Sequence, residues 1–479
     1  MSKTRLFLEN FLIYGLGGVI SKIIPFIMLP FITRLMPDTK YFGIADMSSL
    51  TCSFGMAVAI MGMYDAVFRL FFDKDDRVFQ QQILSTALLF VLINSLILSL
   101  LLYIFKDNLA VYIFGDEAYV NVLYLTILSI IISSSNGIIQ IPCRVNNERL
   151  KFLFLNLSTS IIGYLFAIPL LIKGYYLTAL PIASIGAALF SQATFLYFNY
   201  RWFNFKLFNF EILKQLMEIG LPLFPSFIIY WILNSSDRLM ITNMLGNHQT
   251  GIYAIGTKVA SASYLIYTAF AGGWQYFAFS TMKEKDQVKN NSKVFEYLGV
   301  LSFIGAAFMC SISLNFFEIF FKGEYIKGYI VAPYLFLGPL LLMIFQVIGN
   351  QFLVVKKTWP SMIILTFGAL VNIALNLWLI PTLGIEGASI ATVLGYSIAV
   401  LVCSIVLIKL KLMVISGQFI ICTILIITYL VVWRIWLLDN IILSLMLASF
   451  YMLLVAFLYR EEIFFIIGKI KLKFKAVSR

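Results

Sequence analysis

The chain alternates between long apolar runs and short polar turns along its whole length. About fourteen of the runs approach ~20 residues, the length that an α-helix needs to cross the ~30 Å hydrocarbon core of a bilayer. No turn between them is long enough to form a folded soluble domain. The pattern predicts an all-α polytopic membrane protein with spans at residues 11–33, 42–70, 83–105, 119–141, 152–172, 177–198, 218–242, 252–280, 295–320, 330–355, 361–380, 385–408, 417–437 and 441–459.

Positive charges concentrate in every second turn. Of the 35 Lys and Arg residues, 24 lie in one set of turns and in the C-terminal tail, and 6 lie in the alternate set. Cytoplasmic loops of membrane proteins carry an excess of Lys and Arg. Both termini are therefore expected in the cytoplasm, in agreement with an even number of spans. The N-terminal stretch has no small-residue cleavage site, so we interpret it as part of a retained first span.

Composition supports the membrane class and excludes several functions. The chain is 61% hydrophobic and has a net charge of +12, an excess that follows the cytoplasmic turns and does not indicate nucleic-acid binding. The five cysteines have no metal-ligand spacing and are interpreted as buried apolar side chains. The sequence contains neither a phosphate-binding glycine loop nor a catalytic nucleophile motif. We expect no metal, no cofactor and no enzymatic activity.

An internal repeat relates the first six spans to the next six. Gly43-Ile44 recurs as Gly251-Ile252, and Gly115 recurs as Gly323, each at a spacing of 208 residues. An even number of spans per repeat preserves membrane orientation, so the halves are expected to be parallel repeats. We predict an N-terminal lobe (1–205), a C-terminal lobe (206–412), two extra spans (413–460) and a basic cytoplasmic tail (461–479).

Several charged side chains lie within predicted spans, where each costs about 2.5–3.5 kcal/mol on insertion scales and indicates function by default. Lys22, Arg69, Arg238 and Lys258 form a predicted cationic series from the inner rim to the outer third of the bilayer, suited to a phosphate-bearing passenger. The alternatives are partner carboxylates for Lys22, interfacial snorkelling for Arg69, and a structural ion network for the other two.

Three acidic residues in the spans are candidates for coupling transport to an ion, namely Asp46, Asp65 and Asp237. Asp65 and Arg69 are four residues apart, so they share a helix face and can pair. Asp237 and Arg238 are consecutive, so their side chains diverge by ~100° and need not pair with each other. The sequence does not decide whether proton antiport, sodium antiport or the membrane potential drives transport.

Amides and prolines complete the set of candidate positions. Asn136 and Gln140 correspond to Gln346 and Asn350 in the second half, and each pair lines one helix face. These amides are candidates for sugar contacts, with helix-to-helix hydrogen bonding as the alternative. Intramembrane proline bends a helix and frees backbone groups, which suggests a gating role for the first helix of each half. The candidate gating prolines are Pro25, Pro30, Pro222 and Pro225.

The segment from Gly220 to Ala260, with Gly220-Leu-Pro-Leu-Phe-Pro225, Asp237-Arg238-Leu-Met-Ile241 and Gly251-Ile-Tyr-Ala-Ile-Gly-Thr-Lys258, resembles the polysaccharide biosynthesis (O-antigen flippase, Wzx-type) family. That family belongs to the multidrug/oligosaccharidyl-lipid/polysaccharide (MOP) exporter superfamily. Thr33-Arg34-Leu-Met-Pro37 and the turn Leu379-Ile-Pro381-x-x-Gly384 also match. The resemblance covers essentially the whole chain.

The resemblance implies two MATE-like six-helix lobes around a central cavity, with two extra helices. It implies a flippase in the bacterial cytoplasmic (inner) membrane that moves oligosaccharide units on undecaprenyl pyrophosphate to the outer leaflet, for O-antigen or capsule assembly. Expected partners are the lipid-linked oligosaccharide, membrane lipids, a polysaccharide polymerase and a chain-length regulator.

Two other functions remain open from the sequence. A multidrug or small-molecule exporter of the same superfamily would favour an acidic or apolar cavity over a basic one. A membrane-embedded polysaccharide polymerase or glycosyltransferase would require a large outer loop with catalytic groups, and the longest predicted outer loop has about a dozen residues.

Overall fold

A computed structural model of the chain describes residues 23–280, 284–355, 357, 359–438, 440–462 and 464. Over these residues the regular structure is helical, without β-strand. The helices are α1 (Ile23–Leu35), α2 (Thr39–Ile60), α3 (Met63–Phe71), α4 (Arg77–Ile104), α5 (Lys106–Phe114), α6 (Val120–Ile139), α7 (Ile141–Val145), α8 (Arg149–Ile172), α9 (Ala179–Asn199), α10 (Phe210–Gly220), α11 (Phe224–Leu245), α12 (Asn247–Ala260), α13 (Ser263–Ser280), α14 (Gln287–Phe320), α15 (Ala332–Val354), α16 (Trp359–Lys409), α17 (Gly417–Val432) and α18 (Ile441–Leu458).

Eleven candidate membrane spans are long and apolar enough to cross a bilayer, counted over the described residues. The prediction of an all-helical, multi-pass membrane protein is therefore confirmed. The count of fourteen spans stays a prediction, because the first predicted span begins outside the described residues and some predicted spans are divided differently.

Two predicted spans are broken into shorter helices. The second predicted span (42–70) is interrupted after α2, where Met61 and Gly62 adopt positive φ angles of 46° and 74°. These left-handed residues end one helix and set a new direction for α3. The eighth predicted span (252–280) is likewise divided, with a turn at residues 261–262 between α12 and α13. Hydrophobicity alone does not reveal such breaks, since the apolar run continues through them.

The longest helical stretch, α16, contains the proline-glycine turn that the sequence predicts. Its 51 residues would extend ~76 Å as one straight helix, far beyond a bilayer core. The helical geometry is interrupted at Gly384, which has φ 63° and ψ −141°, three residues after Pro381. The chain therefore turns at the boundary predicted between residues 361–380 and 385–408.

Polar residues at the helix ends explain why several helices begin where they do. Asp38, Asp76, Asn209, Ser416 and Asn440 each accept a hydrogen bond from a backbone N–H in the first turn of the helix that follows. The first four N–H groups of a helix lack partners within it, so these side chains satisfy exposed donors.

The chain forms two compact units. The first comprises Met1–Lys258, Phe321–Tyr325 and Ala369–Thr392, as far as these are described. Within it, an apolar core joins α3, α4, α6, α9 and α10, and a smaller one joins α2, α5 and α6.

The second unit comprises Val259–Phe320, Ile326–Gly368 and Val393–Arg479, again as far as these are described. In it, α14 packs against α15, α17 and α18. The Tyr429 hydroxyl lies within hydrogen-bonding distance of both Ser311 Oγ (2.8 Å) and Ser444 Oγ (3.1 Å). The predicted division into two lobes and two extra spans stays a prediction.

Within the first unit, the glycines of the predicted repeat pack at a close backbone contact between α2 and α12. A Cβ on Gly43 would lie 2.3 Å from the carbonyl oxygen of Asn247, and a Cβ on Gly251 would lie 2.0 Å from that of Thr39. The contact is reciprocal, because Thr39 and Asn247 are themselves 208 residues apart. Thr39 Oγ1 also donates to the carbonyl of His248 at 2.9 Å. The first turns of α2 and α12 thus contact each other through their backbones.

Gly43→Ala and Gly251→Ala are each expected to lower the thermal stability of the purified protein, because backbone oxygens cannot move aside as a flexible side chain would. Overpacking of this kind costs typically about 1–3 kcal/mol. Gly417→Ala is the matched control, since an added Cβ there meets nothing within 4 Å. Melting curves in detergent provide the measurement; unchanged midpoints in both variants would contradict the close contact.

Candidate functional site

The predicted charges at Asp46, Asp237, Arg238 and Lys258 converge in the first unit. Asp46 lies on α2, Asp237 and Arg238 lie on α11, and Lys258 lies in the last turn of α12. Arg238 Nη1 is 2.9 Å from Asp46 Oδ2, and Lys258 Nζ is 3.2 Å from Asp46 Oδ1. One carboxylate therefore holds two cations, one on each oxygen.

Arg238 donates two side-chain hydrogen bonds in this cluster, and its buried Nε has no hydrogen-bond partner among the described residues. Its Nη2 donates to the carbonyl of Asn234 at 2.9 Å, and its Nε lies 4.0 Å from Asp237 Oδ1. Its side chain is 10% exposed and that of Asp46 is 2% exposed. A guanidinium this deeply buried requires the carboxylate, because an unpaired charge would be strongly destabilising. For Arg238, the alternative of a structural ion network therefore has geometric support.

Lys258 differs from Arg238 in its exposure. Its side chain is 48% exposed although its ammonium lies against the buried Asp46. A long aliphatic chain can leave its carboxylate partner by rotating about its own bonds. Of the two cations on Asp46, Lys258 therefore has the more exposed side chain.

The second carboxylate, Asp237, is surrounded by hydroxyl and amide groups. The Tyr253 hydroxyl donates to Asp237 Oδ2, and the backbone N–H of Arg238 donates to Oδ1 at 2.8 Å. Thr392 Oγ1 lies 3.4 Å from Oδ2. Asn372 Nδ2 is 3.3 Å from Thr392 Oγ1, and Asn376 Nδ2 is 3.3 Å from Asn372 Oδ1. The result is a buried polar chain that connects α11, α12 and α16.

Sequence reasoning missed the four uncharged members of this chain, Tyr253, Asn372, Asn376 and Thr392. A signal was present for two of them. Asn372 and Asn376 are an i, i+4 amide pair within an apolar span, the same pattern that selected Asn136 and Gln140. Tyr253 and Thr392 carry no such signal, since single hydroxyl residues are common in membrane helices.

The remaining predicted charges lie elsewhere or outside the described residues. Lys22 is outside the described residues. Arg69, on α3, pairs with the exposed Asp73 and is itself 66% exposed. The expected Arg69–Asp65 pair is absent from the ion pairs of the described residues, since Asp73 occupies the other i, i+4 position of Arg69.

The candidate amides and prolines are distributed over both units. In the first unit, Asn136 donates to Ser191 Oγ at 2.9 Å and Gln140 follows the last residue of α6. In the second unit, Gln346 accepts a hydrogen bond from the Tyr267 hydroxyl at 2.9 Å, and the half-buried Asn350 lies on α15. Pro25 and Pro30 lie on α1, Pro222 lies in the 3₁₀ turn before α11, and Pro225 lies in the first turn of α11.

Comparison with known proteins decides the family. The sequence profile described as "Polysaccharide biosynthesis protein" matches residues 31–325, more than half of the chain. The chain belongs to the polysaccharide biosynthesis protein family. The curated proteins contain no match.

Solved structures show that this family member has the fold of MOP-superfamily transporters. A lipid II flippase MurJ in an inward closed conformation aligns with a TM-score of 0.70 and 17% identity, over 94% of this chain and 99% of the other. An inward-facing multidrug-resistance MATE transporter aligns with a TM-score of 0.62 and 14% identity, over 82% of this chain and 94% of the other. A MOP transporter from Pyrococcus furiosus, whose binding pocket is described as having reversed polarity, aligns with a TM-score of 0.56 and 14% identity, over 85% of this chain and 95% of the other. The resemblance predicted from the sequence is confirmed.

Arg238→Met is expected to lower the free energy of unfolding by about 3–5 kcal/mol, because it removes the deeply buried cation from Asp46. The double variant Asp46→Leu/Arg238→Met removes both members of the buried pair and should recover part of the loss. Arg69→Met is the control; its exposed ion pair with Asp73 should contribute at most about 1 kcal/mol. Thermal unfolding in detergent measures all three, and equal effects of Arg238→Met and Arg69→Met would contradict the buried network.

Proposed function

We propose that this protein is a flippase that moves an oligosaccharide on undecaprenyl pyrophosphate from the cytoplasmic to the outer leaflet, for O-antigen or capsule assembly. The observation that carries the proposal is the half-exposed side chain of Lys258, whose ammonium lies next to the buried Asp46–Arg238 pair, in a chain of the polysaccharide biosynthesis family. An ammonium within reach of a passenger can replace the lost hydration of a phosphate by charge-assisted hydrogen bonds.

Alternating access is the mechanism that fits a transporter fold of internal repeats. The pyrophosphate is held by Lys258, with Lys22 and Arg69 as further cationic positions along the path. The lipid tail stays in the bilayer at a lateral opening. The amides at Asn136, Gln140, Gln346 and Asn350 are proposed to contact sugar hydroxyls, and the candidate prolines to let the first helix of each half bend.

The location and partners follow from the same proposal. We place the protein in the bacterial cytoplasmic membrane with both termini in the cytoplasm, because the basic turns predict that orientation. With a negative cytoplasm, each negative charge that moves outward gains about 2.3 kcal/mol per 100 mV, so a pyrophosphate can be driven by the membrane potential without ATP. A polysaccharide polymerase and a chain-length regulator would act on the product.

Ion coupling is assigned to Asp237, the second carboxylate of the cluster. It is buried and accepts a hydrogen bond from the Tyr253 hydroxyl, and Thr392 Oγ1 lies 3.4 Å from it. Asn372 and Asn376 continue the polar chain beyond Thr392. A carboxylate with neutral oxygen donors is the chemistry that binds a proton or a hard cation. Asp46 is less suited to this role, because two cations already neutralise it.

Purified protein in liposomes should accelerate leaflet exchange of a labelled polyprenyl-pyrophosphate oligosaccharide. Lys258→Ala should reduce the exchange rate at least about tenfold, equivalent to about 1.4 kcal/mol, and Lys258→Arg should retain most of it. Lys106→Ala, which breaks an ion pair with Asp107 in the first turn of α5, is the control and should match the parent protein. Export of small cationic drugs without lipid exchange would instead support the multidrug alternative.

Asp237→Asn should abolish the dependence of exchange on an imposed proton or sodium gradient while leaving gradient-independent exchange measurable. The amide preserves the side-chain size but removes the charge that binds the ion. The measurement is the exchange rate in liposomes with and without each gradient. A variant that responds to both gradients as the parent does would exclude Asp237 as the coupling residue.

A further inference from the structure

The two cations bound to Asp46 are held unequally. Arg238 is 10% exposed and makes two further polar contacts, with the carbonyl of Asn234 and near Asp237. Lys258 is 48% exposed and reaches Asp46 with the end of a long flexible side chain. Both cations are close enough to neutralise the carboxylate, but only Lys258 presents half of its side chain to the surroundings.

This inequality determines what happens when Lys258 leaves Asp46. The carboxylate is 2% exposed, so it would be costly to leave it uncompensated. Arg238 remains on the other oxygen at 2.9 Å, and the Asp46–Arg238 pair is electrically neutral by itself. Lys258 can therefore leave while Asp46 keeps one direct cationic partner. An arrangement with Lys258 as the single partner of Asp46 would not permit this.

We propose that Asp46 is an exchangeable counter-ion for Lys258, which holds the ammonium between transport cycles and gives it up to a phosphate oxygen of the passenger. No covalent bond changes in this step. The ammonium moves from a carboxylate oxygen to a phosphate oxygen, and it returns to Asp46 when the passenger departs. This inference rests on the proposed function and assigns Asp46 a role distinct from ion coupling.

The exchange accounts for release as well as capture. A permanently unpaired lysine in an apolar span would be costly to keep and would bind a pyrophosphate too tightly for turnover. The Asp46 carboxylate lowers the net free energy gained when the passenger binds, because the passenger must displace it from Lys258. It also favours departure, because it competes for the ammonium. Asp46 is thus a determinant of affinity and of release rate, and does not itself need to contact the passenger.

The experiment compares Asp46→Asn with the parent protein in nanodiscs, with a short-chain polyprenyl pyrophosphate as the binding probe and leaflet exchange as the second readout. Asparagine keeps the shape of the side chain but removes its charge. We expect the dissociation constant to fall at least fivefold and the rate of exchange at saturating passenger to fall at least threefold. Asp107→Asn, at the exposed Lys106–Asp107 pair, is the control and should change neither quantity.

The tighter binding expected of Asp46→Asn must also depend on Lys258. Asp46→Asn/Lys258→Ala should bind no more tightly than Lys258→Ala alone, and tightening that persists in the double variant would overturn the proposal. Unchanged or weaker binding in Asp46→Asn would also overturn it. If Asp46→Asn does not fold, Asp46→Asn/Arg238→Gln removes both charges of the buried pair and should show the same tightening. A parent protein that neither binds the probe nor exchanges lipid would instead refute the proposed function.

Discussion

Charge compensation in an apolar environment is the constraint on which this structure depends. Two carboxylates and two cations lie together on α2, α11 and α12, and their formal charges cancel. Each ion would be prohibitively costly alone at membrane depth, but as a group they can be buried. The cluster connects residues far apart in the sequence, since 192 positions separate Asp46 from Arg238. The same charged cluster therefore both stabilises the packing of the first unit and contains the residues proposed to act on the passenger.

The fold could be predicted from the sequence because its signals are local and repeated. Runs of ~20 apolar residues, alternate basic turns and the Pro381–Gly384 turn each report on a single helix or connection. The breaks at Met61–Gly62 and at residues 261–262 escaped prediction, because a helix can be interrupted by backbone conformation within an uninterrupted apolar run.

The candidate site was only partly predictable. The costly charges identified Asp46, Asp237, Arg238 and Lys258, but the sequence could not pair them, since pairing depends on how α2, α11 and α12 are arranged in space. A continuous series of free cations was expected. In the first unit, Arg238 is instead committed to Asp46, and Lys258 is shared with the same carboxylate. The cationic series stays a prediction, and in the described part of the chain two of its members, Arg238 and Lys258, are paired with Asp46.

The reciprocal contact between Gly43 and Gly251 has a consequence for the origin of the chain. Thr39 faces Gly251 as Asn247 faces Gly43, so residues 208 positions apart make the same contact in both directions. Contacts of this type are what two identical subunits make in an isologous dimer. If the predicted repeat arose by duplication, a half-length ancestor would have formed this contact between separate copies, with each glycine packed against the backbone of the other copy. Gene fusion would then have preserved the joint inside one polypeptide and left the two sides free to diverge, so that Asp46 could remain in one half while Ala254 occupies the matching position in the other.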